Sequence, residues 1–298
     1  MRSRNFYMLE FKKPELSDIK WVKECYDKTR IVDCEYCFGN LFVWSNIYKT
    51  EICNFKDFFV SRTPYEKGYS FCFPKGSGDY DEILSLIENE YDDFSLFGLN
   101  HADREILQKI RGDKYIVSSN RDLFDYFYKV SDLSELKGRK YHQKRNHISY
   151  FEKNHNWKYE KIYSGNIDDC LKMNEKWQTL NSYKVGTGIH LEETAIKRAF
   201  DNYSQLGFVG GLIRVDGEVV AFTLGEEMTQ DCFCVHFEKA YADMRGAYAI
   251  LNREFVRNEL QDYYFVNREE DMGIEGLRKA KMSYHPCMIS EIFDAEKR

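Results

Sequence analysis

Proline is scarce in this chain of 298 residues, which contains only four, so long proline-rich linkers are excluded. The sequence also lacks any run of the ~18 uninterrupted apolar residues that a bilayer-spanning helix needs. Residues 1–11 carry charge but lack the apolar stretch of a secretory signal peptide. These absences predict a soluble protein of the cytoplasm.

An excess of basic charge is lacking as well. The chain has 43 Lys and Arg against 49 Asp and Glu, which gives a net charge of −6. A protein that binds a polyanion over its whole surface is normally basic. Any contact with nucleic acid or with lipid headgroups at a membrane surface is therefore expected to be local.

A second Cys/His pair is missing beside Cys34 and Cys37, whose spacing is otherwise typical of zinc and redox motifs. The nine cysteines are an odd number scattered along the chain, so free thiols are expected. Cys37 also lies in an aromatic run from Tyr36 to Trp44, which we predict to form part of a buried wall. We therefore predict no metal site.

The composition is that of a folded globular protein, with 43% hydrophobic and 31% charged residues. Apolar spacing and turn signals predict an alternation of helices and strands. Helices are predicted at residues 16–28, 79–91, 102–110, 167–180, 191–205, 246–260 and 274–281. Strands are predicted at 51–53, 58–60, 69–73, 94–99, 157–163, 208–215, 218–225, 231–238, 263–266 and 288–293, with a strand pair at 115–117 and 124–130.

The two halves of this pattern look like variants of one mixed unit. An Asp216-Gly217 turn between β-branched runs predicts a hairpin at the centre of the second half. We therefore predict the α/β (α+β) class with two lobes, residues 1–135 and 136–298, each a mixed and mostly antiparallel sheet flanked by helices.

A basic segment stands out against the acidic background. Residues 137–153 contain six Lys or Arg and one Glu. Two interpretations are open, namely a solvated helix face and a surface that contacts phosphate, RNA or a lipid headgroup. The residues predicted to contact such an anion are Lys137, Arg139, Lys140, Lys144 and Arg145.

Several long motifs resemble one family. They are residues 136–146, the hairpin end Val235-His-Phe-Glu-Lys-Ala240, Arg245-Gly-Ala-Tyr248, Asn252 and residues 267–286. Together they resemble soluble bacterial proteins similar to the C-terminal domain of phosphatidylglycerol lysyltransferase. The resemblance covers nearly the whole chain and implies two tandem GNAT-like lobes. For the membrane-bound namesakes it implies transfer of an aminoacyl group from a charged tRNA to a lipid headgroup.

A CoA donor would leave a different signature. CoA-dependent GNAT enzymes bind pyrophosphate at a glycine-rich loop before a helix, with the pattern Arg/Gln-x-x-Gly-x-Gly/Ala. Here Arg245 and Gly246 remain, but the bulky Tyr248 replaces the last small residue. Arg245 and Gly246 are still candidates for binding a phosphate or carboxylate, and acyl-CoA stays open as a donor beside aminoacyl-tRNA.

The densest polar group follows the predicted strand at 263–266. Acyl transfer to an amine or hydroxyl needs a base and donors that hold the oxyanion. The candidate bases are Glu238, Glu269 and Asp271, and Lys281 is expected to stabilise the developing charge. The other candidates for binding substrate or donor are His236, Arg245, Gly246, Tyr248, Asn252, Asn267, Arg268, Arg278 and Tyr284.

Simple alternation along the predicted strand places His236 on one face with Cys234 and Glu238. No Ser/His/Asp or Cys/His nucleophile pattern accompanies these residues, so direct transfer is favoured over a covalent enzyme intermediate. The leading interpretation is therefore an acyl- or aminoacyltransferase. A CoA-dependent N-acyltransferase and a non-catalytic binding module are the alternatives.

Overall fold

The computed structural model describes residues 8–29, 33–65, 68–181 and 188–298. The α-helices of these ranges are α1 (Ile19–Asp27), α2 (Phe38–Tyr48), α3 (Tyr80–Glu90), α4 (His101–Arg111), α5 (Val130–Glu135), α6 (His142–Asn154), α7 (Ile167–Asn181), α8 (Gly188–Asp201), α9 (Ala247–Glu259) and α10 (Glu275–Met282). The strands are β1 (Glu51–Phe55), β2 (Phe58–Tyr65), β3 (Gly68–Cys72), β4 (Lys75–Gly76), β5 (Phe94–Leu99), β6 (Tyr115–Ser118), β7 (Asp125–Lys129), β8 (Trp157–Lys161), β9 (Val209–Val215), β10 (Glu218–Thr229), β11 (Cys232–Ala240), β12 (Phe265–Asn267), β13 (Met288–Ser290) and β14 (Phe293–Lys297).

The chain divides into two compact lobes. The first lobe runs to Phe124 and includes Ser290–Arg298, and the second lobe is Asp125–Ile289. Compared with the predicted ranges 1–135 and 136–298, this division places β7 and α5 in the second lobe and β14 in the first. Each lobe contains a seven-stranded mixed sheet flanked by helices, and the fold is that of two tandem GNAT-like lobes.

The first lobe has the strand order β1-β2-β3-β5-β14-β6, with β4 paired to β2. All its pairs are antiparallel except β3 with β5, which the helix α3 connects. Local signals explain that connection, because the Asp79 side chain caps α3 by accepting from the backbone N–H groups of Asp81 and Glu82. The core of this lobe is aromatic and includes the fully buried Phe59, Phe71 and Phe73.

The second lobe has the strand order β13-β7-β12-β11-β10-β9-β8. Its strands β11 and β12 form a parallel pair and are connected by α9. The β9–β10 hairpin turns at Asp216 and Gly217 as predicted, and both residues have the positive φ that a tight hairpin turn requires. The helix α9 packs against β9, β10 and β11, where its Phe255 ring lies 5.7 Å from that of Phe233.

Two predictions about strand pairing are wrong. The strands predicted as a pair at 115–117 and 124–130 lie in different sheets, because β6 pairs with β14 and β7 pairs with β12. The single strand predicted at 288–293 is two strands, β13 and β14, which also belong to different sheets. Pairing partners distant in sequence decide both cases, and local patterns carry no information about them.

Candidate functional site in the second lobe

The parallel strands β11 and β12 pair over a short stretch, and the ladder stops where β12 ends. Cys232, Phe233 and Cys234 pair with Phe265, Val266 and Asn267, and β11 continues beyond this ladder to Ala240. Beyond the ladder, side chains of β11 contact side chains of the loop after β12, and this region is called the opening below. Sites in α/β proteins commonly form where parallel strands end, and the predicted polar group of this chain lies at that position.

Two bridges cross the opening between the strands. The Arg268 Nη2 group donates to Glu238 Oε1 over 2.8 Å. His236 Nδ1 lies 2.7 Å from Glu269 Oε1, and its Nε2 lies 3.1 Å from Glu226 Oε1. The histidine is thus held between two carboxylates, and its side chain is 1% exposed. Four of the predicted site residues therefore meet at this opening.

A β-bulge corrects the predicted face of His236. Leu224 pairs with Phe237 and Gly225 pairs with Val235, so His236 is an extra residue in β11. Because Thr223 pairs with Glu238 and Glu226 pairs with Cys234, the bulge puts Glu238 and Cys234 on opposite faces of the sheet. The expectation that His236, Cys234 and Glu238 share one face was wrong, since alternation does not hold across a bulge.

Hydrogen bonds with Asn267 and Lys281 fix the backbone of the loop after β12. Glu269 and Met272 have φ values of 58° and 52°, in the left-handed region that non-glycine residues rarely adopt. The Asn267 side chain accepts from the backbone N–H of Glu269 over 2.8 Å. Lys281, 8% exposed, donates to the backbone carbonyls of Arg268 and Glu269. Burial and the charge of Arg268 lower the pKa of Lys281.

Asp271 anchors the same loop from inside the lobe. Its carboxylate is fully buried, and Arg278 donates to both of its oxygens over 2.8 and 2.7 Å. Tyr126 also donates to it from β7. The hydrogen bonds from Arg278 are the main reason why the pKa of Asp271 falls to about 2, and Tyr126 and the Gly273 N–H act in the same direction. Asn267 is likewise buried and donates to Asp125 over 2.7 Å.

Most of the basic segment lies on the surface of a short 3-10 helix, Arg139–Tyr141, and of α6. Lys137 pairs with Glu135 over 2.7 Å, and Lys140 lies 3.5 Å from Asp132. Arg139 is exposed, and Arg145 donates to the carbonyls of Leu136 and Gly138. These four predicted residues do not reach the opening between β11 and β12.

Lys144 differs from its neighbours in that segment. Its amine lies 3.7 Å from the centre of the Tyr284 ring, which is buried in the second lobe. The guanidinium of Arg268 lies 5.0 Å from the same ring. Burial and the positive charge of Arg268 lower the pKa of Lys144 to about 8, although Glu238 opposes this change.

The start of α9 is packed against α6. Gly246 has φ 97°, and a Cβ at this position would lie 2.3 Å from the carbonyl oxygen of His147. Arg245 stacks over Tyr150 at 4.6 Å. Packing therefore accounts for the glycine and the arginine without a ligand. Along α9, Tyr248 is partly exposed and Asn252 is 3% exposed.

A cavity of about 400 Å³ lies beside the β11–α9 loop. Its lining combines apolar side chains with three carboxylates and one amine, namely those of Asp216, Glu218, Asp243 and Lys176. None of the predicted site residues lines it. An excess of negative charge at this loop is unfavourable for a pyrophosphate.

Three contributors to the site were missed by sequence reasoning. Glu226 has a recognisable signal, because it is a charge inside a long apolar strand and is 1% exposed. Tyr126 and Asp125 lie in an aromatic strand that was interpreted only as part of the sheet. Their contacts with Asp271 and Asn267 join residues far apart in sequence, so no local signal could reveal them.

Comparison with known proteins identifies the family of this chain. Residues 28–295 match the family described as phosphatidylglycerol lysyltransferase, C-terminal. The chain belongs to this family. It is thereby placed among acyl- and aminoacyltransferases. Within the described residues, no helix is long and apolar enough to cross a membrane.

Three known proteins are similar to this chain. A conserved protein of unknown function from Bacteroides thetaiotaomicron is 35% identical, with a TM-score of 0.92 over 98% of this chain and 100% of that one. The structure of L-PGS from Bacillus licheniformis is 11% identical and has a TM-score of 0.64 over 93% of this chain and 91% of the other, which is a likeness of fold. An uncharacterized protein of Mycoplasmoides gallisepticum is 24% identical over 70% of this chain and 68% of its own length.

Proposed function

We propose that this family member transfers an aminoacyl group directly from an activated donor, aminoacyl-tRNA, to an amine or hydroxyl acceptor such as a lipid headgroup. The observation that carries the proposal is the Glu238–Arg268 pair at the open end of β11 and β12. It supplies a carboxylate and a guanidinium side by side, in a chain that belongs to a transferase family.

The proposed reaction needs one base and one oxyanion donor. Glu238 accepts the proton of the acceptor while the acceptor nitrogen or oxygen forms a bond to the acyl carbon. The ester bond to the donor then breaks, and the proton passes to the leaving oxygen. Arg268 is the donor closest to Glu238, and its Nη1 is buried and finds no hydrogen-bond partner among the described residues, so one of the two Nη1 hydrogens is available to the developing oxyanion.

The other predicted catalytic residues receive different roles in this proposal. Asp271 is a weak base because its pKa is about 2, and Arg278 already binds both of its oxygens. The amine of Lys281 already donates hydrogen bonds to two backbone carbonyls. We therefore assign Asp271 and Lys281 to positioning the loop that carries Arg268 and Glu269. Glu269 in turn orients His236 through the contact between its Oε1 and the Nδ1 of the histidine.

The surface part of the basic segment supports a polyanionic donor. Lys137, Arg139 and Lys140 are exposed and close together in sequence, where phosphate groups can reach them. A CoA donor is less well supported. The acidic cavity beside the β11–α9 loop and the packed glycine at the start of α9 both disfavour a pyrophosphate there.

A deletion strain tests the proposal. Lipids and metabolites of the strain are profiled without the gene, with the wild-type gene, and with Glu238→Gln. We expect an aminoacylated product that disappears in the deletion, returns with the wild type and stays absent with Glu238→Gln. Identical profiles in all strains would overturn aminoacyl transfer. A missing acyl product that lacks an amino group would favour acyl-CoA, and acyl-CoA should then raise the melting temperature of the purified protein.

A further inference from the structure

The basic segment contains two kinds of cation. The surface residues Lys137 and Lys140 lie near carboxylates, and Arg145 binds backbone carbonyls. Lys144 instead faces inward onto Tyr284. Among the described residues its amine has no hydrogen bond and no carboxylate within ion-pair distance. A half-buried ammonium usually has such a partner, because removing it from water is otherwise unfavourable.

Arg268, whose guanidinium lies over the same Tyr284 ring, also has a hydrogen-bond donor without a partner among the described residues. Its Nη2 is bonded to Glu238, whereas its Nη1 is buried and lacks a partner among the described residues. The side chain of Arg268 is 12% exposed and that of Glu238 is 14% exposed. The two cations thus face a single carboxylate in this part of the described lobe, and the cluster carries an excess positive charge.

We propose that Lys144 and Arg268 together bind one oxyanion group of the substrate, a carboxylate or a phosphate, beside the ring of Tyr284. The lysine has a flexible four-carbon stem and no hydrogen bond that holds its amine in place, so it can move aside and then close on an entering anion. The assignment of this anion to the substrate rests on the proposed function, but its binding can be measured without turnover.

The charges around Lys144 support the same conclusion. Arg268 follows β12, Glu238 lies on β11, His147 lies on α6, and the phenols of Tyr128 and Tyr284 face the cluster from β7 and from the segment after α10. Burial and Arg268 lower the pKa of Lys144 to about 8. A bound anion would stabilise the ammonium and raise that pKa. Anion binding should therefore be strong below pH 8 and weaken as the pH rises above it.

The rate at which acetic anhydride modifies Lys144 tests this proposal on the full chain. Only the neutral amine reacts, so each unit by which an anion raises the pKa slows the reaction about tenfold below that pKa. We expect acetate and inorganic phosphate to slow modification of Lys144 at pH 7, as measured by mass spectrometry. Exposed Lys153 is the internal control and should react at an unchanged rate. A rate of modification at Lys144 that neither acetate nor phosphate changes would overturn the proposal.

Two variants make the test specific. Lys144→Arg keeps its charge at all pH values, so acetate binding, measured in both variants by isothermal titration calorimetry because they lack the reactive amine, should persist above pH 8, where the wild type loses it. Lys144→Met should lose acetate binding at every pH, while Lys153→Met should keep it. Protection by phosphate but not acetate would assign a phosphate group, and the reverse a carboxylate. If the anions protect Lys144 but the protein transfers no aminoacyl group, the anion site is supported and the proposed function is wrong. If the protein transfers aminoacyl groups but the anions do not protect Lys144, the proposed function is supported and the anion site is wrong.

Discussion

In each lobe a helix connects two parallel strands, and a buried cation lies near the ends of those strands. In the first lobe this cation is Lys75, which is 2% exposed and donates to Asp103 and to the carbonyl of Gly98 at the end of β5. In the second lobe it is Arg268, paired with Glu238 and accompanied by Lys144. We call the Lys75–Asp103 pair closed, because the Lys75 amine has two acceptors. We call the Arg268–Glu238 pair open, because the Nη1 of Arg268 has no partner among the described residues.

The difference is one of charge balance. Lys75 has a carboxylate and a carbonyl as acceptors, and the ring of Tyr36 lies 4.5 Å from its amine. Lys144 and Arg268 have between them one carboxylate, and donors on both remain without partners among the described residues. A matched pair contributes to the structure of its lobe, whereas unmatched donors are available to a ligand. We therefore interpret the second lobe as the one that carries the site.

The largest expected effect comes from breaking the closed pair of the first lobe. Lys75→Met leaves the buried carboxylate of Asp103 without its cation and should lower the free energy of unfolding by about 3–5 kcal/mol. Urea denaturation measures this loss. The double variant Lys75→Met/Asp103→Asn removes both charges and keeps an acceptor for the Asn100 N–H, so it should recover most of the stability. A single variant as stable as the wild type would show that the pair is not a structural element.

The next effect concerns the open pair of the second lobe. Glu238→Gln removes the proposed base and should lower aminoacyl transfer by about 100-fold or more, equivalent to about 2.7 kcal/mol of barrier. The rate of product formation with labelled aminoacyl-tRNA measures the loss. Glu152→Gln is the matched control, because Glu152 pairs with Arg253 at the surface. Equal rates in the two variants would contradict the role given to Glu238.

Asp271 should make the second lobe sensitive to acid. Its folded pKa of about 2 lies below the ordinary value of 3.8, so its stabilising contribution is fully present above about pH 4. That contribution is lost as the pH falls toward 2, and the linkage amounts to about 2 kcal/mol. Urea denaturation between pH 5 and pH 2 should show a shallower pH dependence for Asp271→Asn than for the wild type. The exposed Asp262→Asn should retain the wild-type slope, and a wild-type slope in Asp271→Asn would refute the linkage.

Much of the fold could be predicted because local patterns determine it. The strand at 94–99 and the Asp216-Gly217 turn appear as predicted, since alternation and turn residues are local signals. For α2, the sequence predicts only a buried aromatic run. Its apolar residues surround the helix, with Phe38, Phe42 and Val43 all buried, so it lacks the one-sided periodicity that marks a surface helix.

The site could be predicted by composition but not by arrangement. Residues 267–286 drew attention because charges follow an apolar strand, and the structure brings Arg268 to Glu238 and Glu269 to His236. The sequence could not separate side chains that fix the loop from those that face the opening. That distinction depends on a bulge at His236 and on Tyr126, which lies on a strand more than a hundred residues away in sequence.

The smallest expected effect tests whether the surface cations differ from Lys144. Lys137 is 79% exposed in its pair with Glu135, so Lys137→Met should change the free energy of unfolding by less than about 0.5 kcal/mol. If Lys137 contacts a phosphate of the donor, the variant should bind tRNA more weakly. The slope of log affinity against log salt should then fall by about 0.7 to 0.9, depending on whether the contacted strand is single or double. Lys158→Met is the control, because Lys158 is exposed on β8, outside the basic segment. A residue that contacts no phosphate releases no counterion, so the same slope in both variants and in the wild type would show that Lys137 does not contact the tRNA. Within the basic segment, Lys144 would then remain as the residue with a proposed role in binding.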